Sequence, residues 1–464
     1  MPGVDVAYLV SHGFAARMVL HSTLVQEATA RGLSVAVIAP VGDDPGLERL
    51  AKSVGAVLER GPDLARRGAL AGELRPYLFE DVRRNPALWA KHLRAAADPR
   101  TRWRAKLRLA LNGLVRNTPG LLGRVDALDR ALVRSAEARA LLRRLSPRLV
   151  VATYPVHPME AAMLVAARDL GLRTVGHLLS WDNLTTKGRF TVLPDDWIAW
   201  GPVMAAELKG LYGVAPERIR EVGVPHFDAH VGAATPDRRT ALLRRLGLDP
   251  ARPYVLFGMS APYFCPTEID IVEWLAARIA EGRFGADLQL VVRPHPQNVT
   301  GNLADLSWLP RIDALRGPRV AVDLPTMEPG GLSWSLDPAD LPHMATLVGG
   351  AVATLNSGST LAIDALVHDR PVILTPFDTV DDLPWWKSAR RIASYPHLVG
   401  LIRTGGVRVT RSLDELGRAL DTVLANPDDD VAGRRAARHA ELFAVDGRAA
   451  ARAAEALRAL MDAS

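Results

Sequence analysis

The sequence is poor in cysteine, the residue that forms disulfides and many structural metal sites. It holds one cysteine, Cys265, among 464 residues, which excludes an internal disulfide and a cysteine-rich metal site. No segment reaches the roughly 18 uninterrupted apolar residues of a membrane-spanning helix. Residues 1–10 lack a basic start and a cleavage site, so we expect a first strand there and not a signal peptide. These absences predict a cytoplasmic protein. The abundance of Ala, Arg, Leu and Gly is typical of a GC-rich bacterial genome.

The length of the chain predicts two domains. One hydrophobic core rarely serves more than about 250–300 residues, and this chain has 464, with an ordinary globular composition of 48% hydrophobic and 23% charged residues. Short β-rich apolar runs alternate with helical patterns, which predicts parallel sheets built from βαβ units. We therefore expect an α/β protein of two Rossmann-like domains, residues 1–235 and 236–464, that face each other across a cleft. Ligands of such folds bind beyond the carboxyl ends of the strands.

The apolar runs assign five strands to each domain. In the first domain they are predicted at Val4–Val10, Ser34–Ile38, Leu149–Thr153, Thr174–Leu179 and Trp197–Trp200. In the second domain they are predicted at Tyr254–Gly258, Leu288–Val292, Val320–Leu324, Ala351–Leu355 and Val372–Thr375. The main helices are predicted at Ala15–Ala30, Pro158–Leu170, Ser412–Leu424 and Ala432–Met461.

The net charge of +6 is concentrated in one segment. Residues 83–144 carry 16 Lys or Arg and four Asp or Glu, within a helical insertion predicted at 78–146 of the first domain. Residues 103–116 combine a helical apolar pattern with cations, so an anionic membrane surface or an anionic acceptor is one interpretation. A solvated helix face with arginine stems lying along it is the other. Nucleic acid is not predicted, because no interleaved aromatic platform accompanies the charge.

A small-residue turn between two predicted strands of the second domain is the strongest candidate for a phosphate site. Its residues are Asn356, Ser357, Gly358, Ser359 and Thr360. Such a turn before a helix directs backbone N–H groups and the helix dipole at one spot, where a phosphate is the natural ligand. Asp364, about one and a half turns into the helix, is placed to reach ribose hydroxyls. The alternative is an ordinary Asn/Ser cap of a buried helix.

Two further loops follow strands of the second domain. Arg293 and His295 are set between prolines at the end of a strand, where a cationic pair can meet a phosphate. The alternative is a stiff turn with a surface histidine. Gly258 and Ser260 form a second loop over which a phosphate can lie, although a small-residue turn serves sheet packing equally well.

The first domain carries a dense group of functional side chains at 180–189. Asp182 is a candidate base or acceptor for sugar hydroxyls, Trp181 can stack on a sugar ring, and Asn183 and Lys187 can hold a hydroxyl or an anion. A structural loop with side-chain-to-backbone hydrogen bonds is the alternative.

Histidines follow two other strands of this domain. His157 and Glu160 lie at a helix start and are predicted to face the same crevice, although Glu160 also complements a helix dipole. His12 follows the first strand, where an imidazole can act as a general base. A capping or core histidine is the alternative at that position.

Two nucleotide-binding signatures are missing. The chain has no Gly-x-Gly-x-x-Gly fingerprint after its first strand and no Walker A sequence. No Asp-x-Asp sequence follows a predicted strand of the second domain, which removes the usual metal clamp of a sugar-nucleotide pyrophosphate. Charge neutralisation would then fall to Arg293, His295 and the helix N-terminus.

With its two βα series, Arg-Pro-His-Pro at 293–296 and Ser-Gly-Ser-Thr at 357–360, the chain resembles the GT-B glycosyltransferases. It is most similar to the bacterial surface-polysaccharide and CDP-glycerol glycerophosphotransferase-like groups. That resemblance implies that the His-Pro element and the serine-rich turn hold the phosphates and nucleotide of the donor. Residues 359–371 also resemble the nucleotide-binding helix of the UDP-N-acetylglucosamine 2-epimerases, with Asp364 at the ribose-binding acid. Ala362 and Ile363 stand where that pattern has adjacent glutamates, which argues against epimerase chemistry.

The residues and the resemblance together predict a metal-independent glycosyltransferase of bacterial cell-surface polysaccharide or glycoconjugate synthesis. It would use no cofactor, take a nucleotide-sugar donor and a glycan or lipid-linked acceptor, and work in the cytoplasm or peripherally on the inner face of the membrane. The second domain would bind the donor and the first the acceptor, with His12 or Asp182 as base. The alternatives are a sugar-nucleotide epimerase or hydrolase of the same fold and a non-catalytic scaffold that docks on membranes.

Overall fold

A computed structural model describes residues 3–42, 44–299, 306–328 and 330–463. The chain divides into two compact units. The first contains Met1–Asp228, Glu328–Ser335 and Leu442–Ser464, and the second contains Ala229–Met327 and Leu336–Glu441. None of the helices in the described ranges has the length and apolar content needed to cross a bilayer.

The first unit is built on a seven-stranded parallel sheet with the order β3-β2-β1-β4-β5-β6-β7. Its strands are β1 (Val6–Leu9), β2 (Val35–Ala39), β3 (Ala56–Arg60), β4 (Leu149–Ala152), β5 (Arg173–His177), β6 (Asp196–Ala199) and β7 (Ile219–Glu221). All five strands predicted here are present, with ends shifted by one or two residues. The two additional strands, β3 and β7, are the edges of the sheet. Both are partly exposed, so neither has the continuous apolar run that marked the others.

In residues 3–42 and 44–228, which the structure describes, eleven helices accompany this sheet. They are α1 (Gly13–Ala16), α2 (Leu24–Ala30), α3 (Pro45–Ser53), α4 (Ala65–Phe79), α5 (Pro86–Ala97), α6 (Arg102–Asn117), α7 (Leu121–Val133), α8 (Ala136–Leu145), α9 (Pro158–Asp169), α10 (Asn183–Thr186) and α11 (Pro202–Tyr212). A π-helical turn occupies Arg17–His21, and 3₁₀ turns occupy Pro216–Arg218 and Pro225–His230. The single helix predicted at 15–30 is therefore broken, because Ser22 has an extended backbone and its hydroxyl donates to the carbonyl of Met18.

Most of the range predicted as a helical insertion, 78–146, is helical, although the first helix begins earlier: five helices, α4 to α8, run from Ala65 to Leu145. A buried ion pair joins two of these helices: the guanidinium of Arg75 on α4 lies 3.0 Å from the carboxylate of Asp129 on α7. Both side chains are almost completely buried, so the pair fixes these two helices against each other.

The second unit is built on a six-stranded parallel sheet with the order β10-β9-β8-β11-β12-β13. Its strands are β8 (Tyr254–Gly258), β9 (Gln289–Arg293), β10 (Val320–Val322), β11 (Ala353–Asn356), β12 (Val372–Leu374) and β13 (Arg408–Val409). The five predicted strands are confirmed. The sixth, β13, is a partly exposed two-residue edge strand and is too short to give a pattern.

Helices of the second unit follow in chain order. They are α12 (Pro236–Arg245), α13 (Glu268–Ala280), α14 (Pro296–Val299), α15 (Leu309–Ala314), α16 (Asp340–Gly350), α17 (Leu361–Val367), α18 (Pro396–Arg403), α19 (Leu413–Ala425) and α20 (Val431–Glu441). Short 3₁₀ turns occupy Leu306–Trp308 and Ala389–Ser394.

The last helix, α21 (Ala449–Asp462), belongs to the first unit. Its buried face, which includes Ala453 and Leu457, joins the core cluster formed by β1, β2 and α2. The carboxylate of Asp228 accepts hydrogen bonds from the backbone N–H groups of Ala449 and Ala450 at 2.9 and 2.8 Å, which caps the helix. This division differs from the ranges 1–235 and 236–464 expected from the sequence, and the helix predicted at 432–461 is two helices, α20 and α21.

In both sheets the strand order reverses next to the first strand. The reversal lies between β1 and β4 in the first unit and between β8 and β11 in the second. Ligands of open parallel sheets bind outside the carboxyl ends of the strands at such a switch point. Eleven of the seventeen candidate site residues predicted from the sequence lie at the ends of these four strands, in the loops that follow them or in the first turn of the next helix.

Candidate active site

His12 follows β1 at the switch point of the first sheet and stands immediately before α1. Its ring meets the ring of Tyr154 edge-on, with centroids 5.1 Å apart, and the ring of Trp334 at 6.1 Å. The next residue, Gly13, donates its N–H to the carbonyl of Ser333 at 2.9 Å. A β-carbon at Gly13 would lie 2.1 Å from the carbonyl oxygen of Trp334, so only glycine allows segment 328–335 to approach.

Burial keeps the imidazole of His12 neutral. The side chain is 9% exposed, and its Nδ1 has no hydrogen-bond partner among the described residues. Burial, together with smaller contributions from the nearby His157 and Lys187, lowers the pKa of His12 to about 4. At neutral pH the ring therefore has a lone pair that can accept a proton.

Glu160 holds the loop between β4 and α9. Its carboxylate accepts the backbone N–H groups of Thr153 and Tyr154 at 2.9 and 2.7 Å and the hydroxyl of Thr153 at 3.1 Å. The side chain is fully buried, and burial raises its pKa to about 7 while these hydrogen bonds oppose the shift. With these contacts, Glu160 is a positioning residue for the loop, and its predicted contact with sugar stays a prediction.

His157 caps the same helix. Its Nδ1 accepts the N–H of Met159 at 3.3 Å, and burial lowers its pKa to about 4. Its ring is therefore neutral at pH 7 and is engaged by the start of α9.

Asp182 is engaged by its own loop. Its carboxylate accepts the hydroxyls of Ser180 and Thr186 at 2.7 and 2.8 Å and lies 3.0 Å from the ammonium of Lys187. These are the contacts of the structural-loop alternative, which stabilise the one-turn helix α10. Of the two candidate bases, His12 has the free proton-accepting atom.

The two remaining candidates of this loop are buried. Trp181 is 6% exposed, which leaves little of its ring for stacking on a sugar. Asn183 is 2% exposed, and its Oδ1 has no hydrogen-bond partner within the described ranges. A buried acceptor of this kind normally has a ligand or water as partner.

The candidate residues of the first unit surround Tyr154, which the sequence analysis did not single out. Burial raises the pKa of this phenol, Lys187 lowers it, and Asp182 and Glu160 raise it, so these charges are close to its ring. Tyr154 could have been predicted as a site residue from the sequence, because it follows β4 directly. The resulting cluster, His12 with Tyr154, His157, Asp182 and Lys187, offers a neutral base beside one cation and can bind and deprotonate a hydroxyl group.

In the second unit, the turn after β11 uses part of its hydrogen-bonding capacity internally. The side-chain oxygen of Asn356 accepts the N–H groups of Gly358 and Ser359, both at 2.9 Å, and the hydroxyl of Ser359 accepts the N–H of Leu361 at 3.3 Å. Gly358 has φ of +106°, and a β-carbon there would lie 2.7 Å from Leu398. These contacts match the helix-cap alternative. Phosphate binding by this turn, with Thr360, stays a prediction.

A residue missed from the sequence, Glu268, links this turn to the loop after β8. Its buried carboxylate accepts the hydroxyl of Ser357 on one side and the N–H of Ser260 at 2.6 Å on the other. Burial raises the pKa of Glu268 to about 7. Gly258, at the end of β8, has the packing role given as its alternative, because a β-carbon there would lie 2.1 Å from Leu361 of α17.

Arg293 forms a buried charge cluster in place of an open cationic site. Its guanidinium bonds the carboxylate of Asp323 at 2.7 Å and that of Asp340, and its side chain is 8% exposed. His343 meets the same carboxylate of Asp323 at 2.8 Å. Two acids therefore already compensate the charge on which the phosphate prediction depends.

His295, the second member of the predicted cationic pair, accepts the N–H of Gln297 at its Nδ1, at 3.1 Å. Burial lowers its pKa to about 4, so the ring is neutral at pH 7. The pair thus presents neither a free guanidinium nor an imidazolium to a ligand.

Asp364 belongs to a chain of three titratable groups. Its carboxylate lies 3.3 Å from Nε2 of His230, and Nδ1 of His230 lies 3.0 Å from Nε2 of His368. Burial, with a smaller contribution from His230, lowers the pKa of His368 to about 4. A ribose contact by Asp364 would have to share the carboxylate with His230.

Two spacings that can mark metal sites occur away from these loops. Asp428 and Asp430 flank one residue, and both pair with Arg434. His226 and His230 are four residues apart, but His226 packs on the rings of Trp200 and Phe227. Within the part of the chain that the structure describes, no three His, Cys, Asp or Glu side chains are grouped so that they could hold a metal ion.

Comparison with known proteins identifies the fold but not a family. No protein-family profile matches the chain. A kynureninase of Stenotrophomonas maltophilia is 25% identical in an alignment of 267 positions that covers 53% of this chain, and the chain spans 61% of the length of that protein. A match of this extent and identity assigns no family.

Three solved structures share the architecture over essentially the whole chain. MnaA of S. aureus in complex with UDP has a TM-score of 0.58 and 10% identity, covering 99% of this chain and 97% of that one. The UDP-GlcNAc 2-epimerase of Neisseria meningitidis bound to UDP-GlcNAc has a TM-score of 0.56 and 11% identity, covering 98% and 100%. A glycosyltransferase of Rickettsia africae has a TM-score of 0.52 and 10% identity, covering all of both chains. The protein therefore has the two-domain α/β fold called GT-B, as the sequence predicted.

Proposed function

We propose that the protein is an enzyme that acts on a nucleotide-activated sugar. Similar structures are described as complexes with UDP and with UDP-GlcNAc, and one is described as a glycosyltransferase. Two parallel sheets, each with functional side chains in the loops at its switch point, support the same assignment. The nucleotide is proposed to bind at the carboxyl edge of the second sheet, near residues 356–364, and the acceptor at that of the first.

The reaction that we propose is glycosyl transfer to a hydroxyl group without a metal ion. The observation that carries it is the buried, neutral His12, whose Nδ1 has no partner among the described residues. Nδ1 accepts the proton of the acceptor hydroxyl, the oxygen forms a bond to the anomeric carbon, and the bond from that carbon to the nucleotide diphosphate breaks. Lys187 stabilises negative charge that develops on the acceptor oxygen.

The resemblance of the sequence to surface-polysaccharide enzymes supports a finer assignment. We infer a bacterial protein of polysaccharide or glycoconjugate synthesis, working in the cytoplasm or on the inner face of the membrane with a glycan or lipid-linked acceptor. The acceptor side, on the first unit, is next to a basic helical insertion in the sequence. That proximity in the chain suits an anionic acceptor.

Epimerisation or hydrolysis of a nucleotide sugar is the second candidate. Several similar structures are UDP-GlcNAc 2-epimerases, which favours it. Ala362 and Ile363 oppose it, because they replace the adjacent acids of the epimerase pattern with side chains that cannot move a proton.

One set of incubations separates the candidates. The protein is mixed with UDP-, CDP-, GDP- and dTDP-sugars, with EDTA or Mg²⁺, with and without a pool of glycan and lipid-linked acceptors, and phosphorus NMR follows the nucleotide. Release of nucleoside diphosphate only when acceptor is present, in EDTA, supports transfer. Conversion of the sugar without acceptor supports the epimerase or hydrolase. If calorimetry also detects no binding of UDP, CDP, CMP, GDP or dTDP, the enzyme assignment fails and the scaffold alternative remains.

A further inference from the structure

The helical insertion exposes an unusual share of large apolar side chains. Five of the fifteen such side chains that are exposed in the described chain lie within residues 103–128. The three on α6 are the most exposed group: Trp103 at 61%, Leu107 at 63% and Leu114 at 59%. An isolated exposed leucine needs no explanation, but three on one helix do.

These three side chains form one stripe. At 100° per residue, Trp103, Leu107 and Leu114 lie within about 40° of each other around the axis of α6. The opposite side of the helix is buried, with Ala105 at 0% and Asn112 at 5% exposed. The stripe therefore points away from the core of the first unit.

The rotation of α6 is fixed by hydrogen bonds from its buried side. The side-chain amide of Asn112 donates to the carbonyls of Tyr77 and Glu80 at 2.7 and 2.8 Å. Turning the stripe inward would break both bonds and remove the donor from the buried carbonyl of Tyr77 and from the partly buried carbonyl of Glu80. The exposed stripe is thus held in place by the fold.

Cations flank the stripe. Helix α6 contains five Lys or Arg and no Asp or Glu. Arg108 and Arg116 pair with Glu73 and Asp81, whereas Arg104 and Lys106, on either side of the stripe, are exposed and have no carboxylate partner among the described residues. The guanidinium of Arg104 lies 5.3 Å from the ring centre of Trp103.

We propose that α6 docks the protein on the surface of an anionic lipid bilayer. The stripe of Trp103, Leu107 and Leu114 would enter the interface between headgroups and acyl chains, where tryptophan and leucine anchor peripheral helices. Arg104 and Lys106 would contact the phosphates of anionic lipids. The helix lies parallel to the membrane and does not cross it.

Charge and size disfavour a protein partner. A symmetric contact between two copies of α6 would bring Arg104 and Lys106 against the same cations, with no acid on the helix to compensate. Three side chains are also far fewer than the 20–30 residues a side of a stable protein interface. A bilayer needs neither self-complementarity nor a large footprint. Docking by α6 does not depend on which reaction the protein catalyses.

Sedimentation with vesicles tests this docking. The full chain is mixed with vesicles of phosphatidylcholine alone or with 30% phosphatidylglycerol at low salt. We expect binding to the anionic vesicles only, and at least tenfold weaker binding for Trp103→Ser/Leu107→Ser/Leu114→Ser. The control is Leu211→Ser, because Leu211 is equally exposed, at 61%, on α11 of the same unit. It should bind within twofold of the unaltered protein.

A charge variant and a depth measurement complete the test. Arg104→Glu/Lys106→Glu should weaken binding by at least about fivefold for each cation removed. Brominated lipids should quench the tryptophan emission of the unaltered protein more than that of Trp103→Phe. Failure of the folded protein to bind anionic vesicles would overturn the proposal, as would binding unchanged in both multiple variants. The proposal would also be overturned if the protein self-associates, does not bind vesicles and becomes monomeric in the triple variant. That result would show that α6 binds a second copy of the chain.

Discussion

The hydroxyl of Ser357 donates a hydrogen bond to the carboxylate of Glu268, a residue 89 positions earlier in the chain. Through this bond one buried acid joins the loops that follow β8 and β11, the two strands at the switch point of the second sheet. Ser357, which the sequence predicts as a phosphate ligand, makes a contact inside the fold that sets the shape of the turn, and its phosphate contact stays a prediction. A ligand at this edge would meet a surface whose geometry depends on Glu268.

Removing the acid should destabilise the second unit. Glu268→Ala leaves the N–H of Ser260 without its acceptor and leaves the buried hydroxyl of Ser357 only its longer contacts with Thr375, at 3.3 Å. We expect the free energy of unfolding to fall by about 2–4 kcal/mol, measured by urea denaturation. Glu268→Gln, which keeps an acceptor oxygen, should lose less than half of this. Glu281→Ala is the matched control, because this glutamate at the end of the same helix is 55% exposed. If Glu268→Ala and Glu281→Ala lower the free energy of unfolding equally, the hydrogen bonds of Glu268 do not stabilise the second unit.

His12 should be needed for turnover but not for nucleotide binding. His12→Asn keeps a polar atom near the position of Nδ1 and cannot take a proton, so kcat should fall by about 10²-fold or more. Nucleotide affinity, measured by calorimetry, should stay within twofold. Asp182→Asn should have a smaller effect, because that carboxylate already has three partners. Full activity of His12→Asn would remove the base assignment.

The pH profile offers an independent check on the same residue. A base must be unprotonated to act, and the pKa of His12 is lowered to about 4. Activity should therefore be lost as the pH falls through about 4, measured only where circular dichroism shows the native fold, and this group should cause no loss between pH 6 and 8. An acid limb centred near pH 6.5 would mean that the working base is an ordinary exposed histidine.

Arg293 should matter for folding more than for nucleotide binding. Arg293→Ala leaves the buried carboxylates of Asp323 and Asp340 without their guanidinium partner. Breaking a buried ion pair in this way costs about 3–5 kcal/mol of stability. Arg293→Lys keeps the charge and loses the two-armed geometry, so it should unfold more easily and still bind nucleotide within about threefold. If Arg293→Lys has normal stability but binds nucleotide more than tenfold more weakly, Arg293 contacts the phosphate as the sequence predicted.

Stability should rise with pH in part because of His177. Nδ1 of this buried histidine meets the hydroxyl of Tyr8 at 3.1 Å, and burial lowers its pKa to about 3. Between about pH 3 and 6.5 the unfolded chain binds a proton here that the folded chain does not, so stability increases with pH. His177→Asn should remove up to about 1.4 kcal/mol per pH unit from the slope around pH 5.

The sequence predicted the elements that carry a local pattern. Ten strands are buried almost entirely and were predicted from their apolar residues, whereas β3, β7 and β13, which are partly exposed strands at sheet edges, were not. The loops at the switch points could be found as well, because they are simply the residues after strands. Tyr154 could have been found by the same rule.

Contacts between residues that are far apart in the chain could not be predicted from local sequence patterns. Nothing local to Arg293 marks Asp323 and Asp340 as its partners, and nothing near Asp364 marks His230. The charges of these residues were visible in the sequence, but their neutralisation was not. Each pairing shifts a predicted ligand contact toward a role inside the fold, and the order of the strands, not the spacing of the residues, determines which charges meet.

The placement of α21 in the first unit affects how the chain folds during synthesis. Asp228 caps this helix through Ala449, 221 positions later, and the helix supplies a face of the core around β1 and β2. At about 5–20 residues per second, a ribosome needs roughly 10–45 s to make the intervening chain. The second unit is contiguous apart from residues 328–335, so it can fold first, while the earlier-made half waits with apolar surface uncovered. Chaperone dependence should therefore be greatest for the half that is translated first.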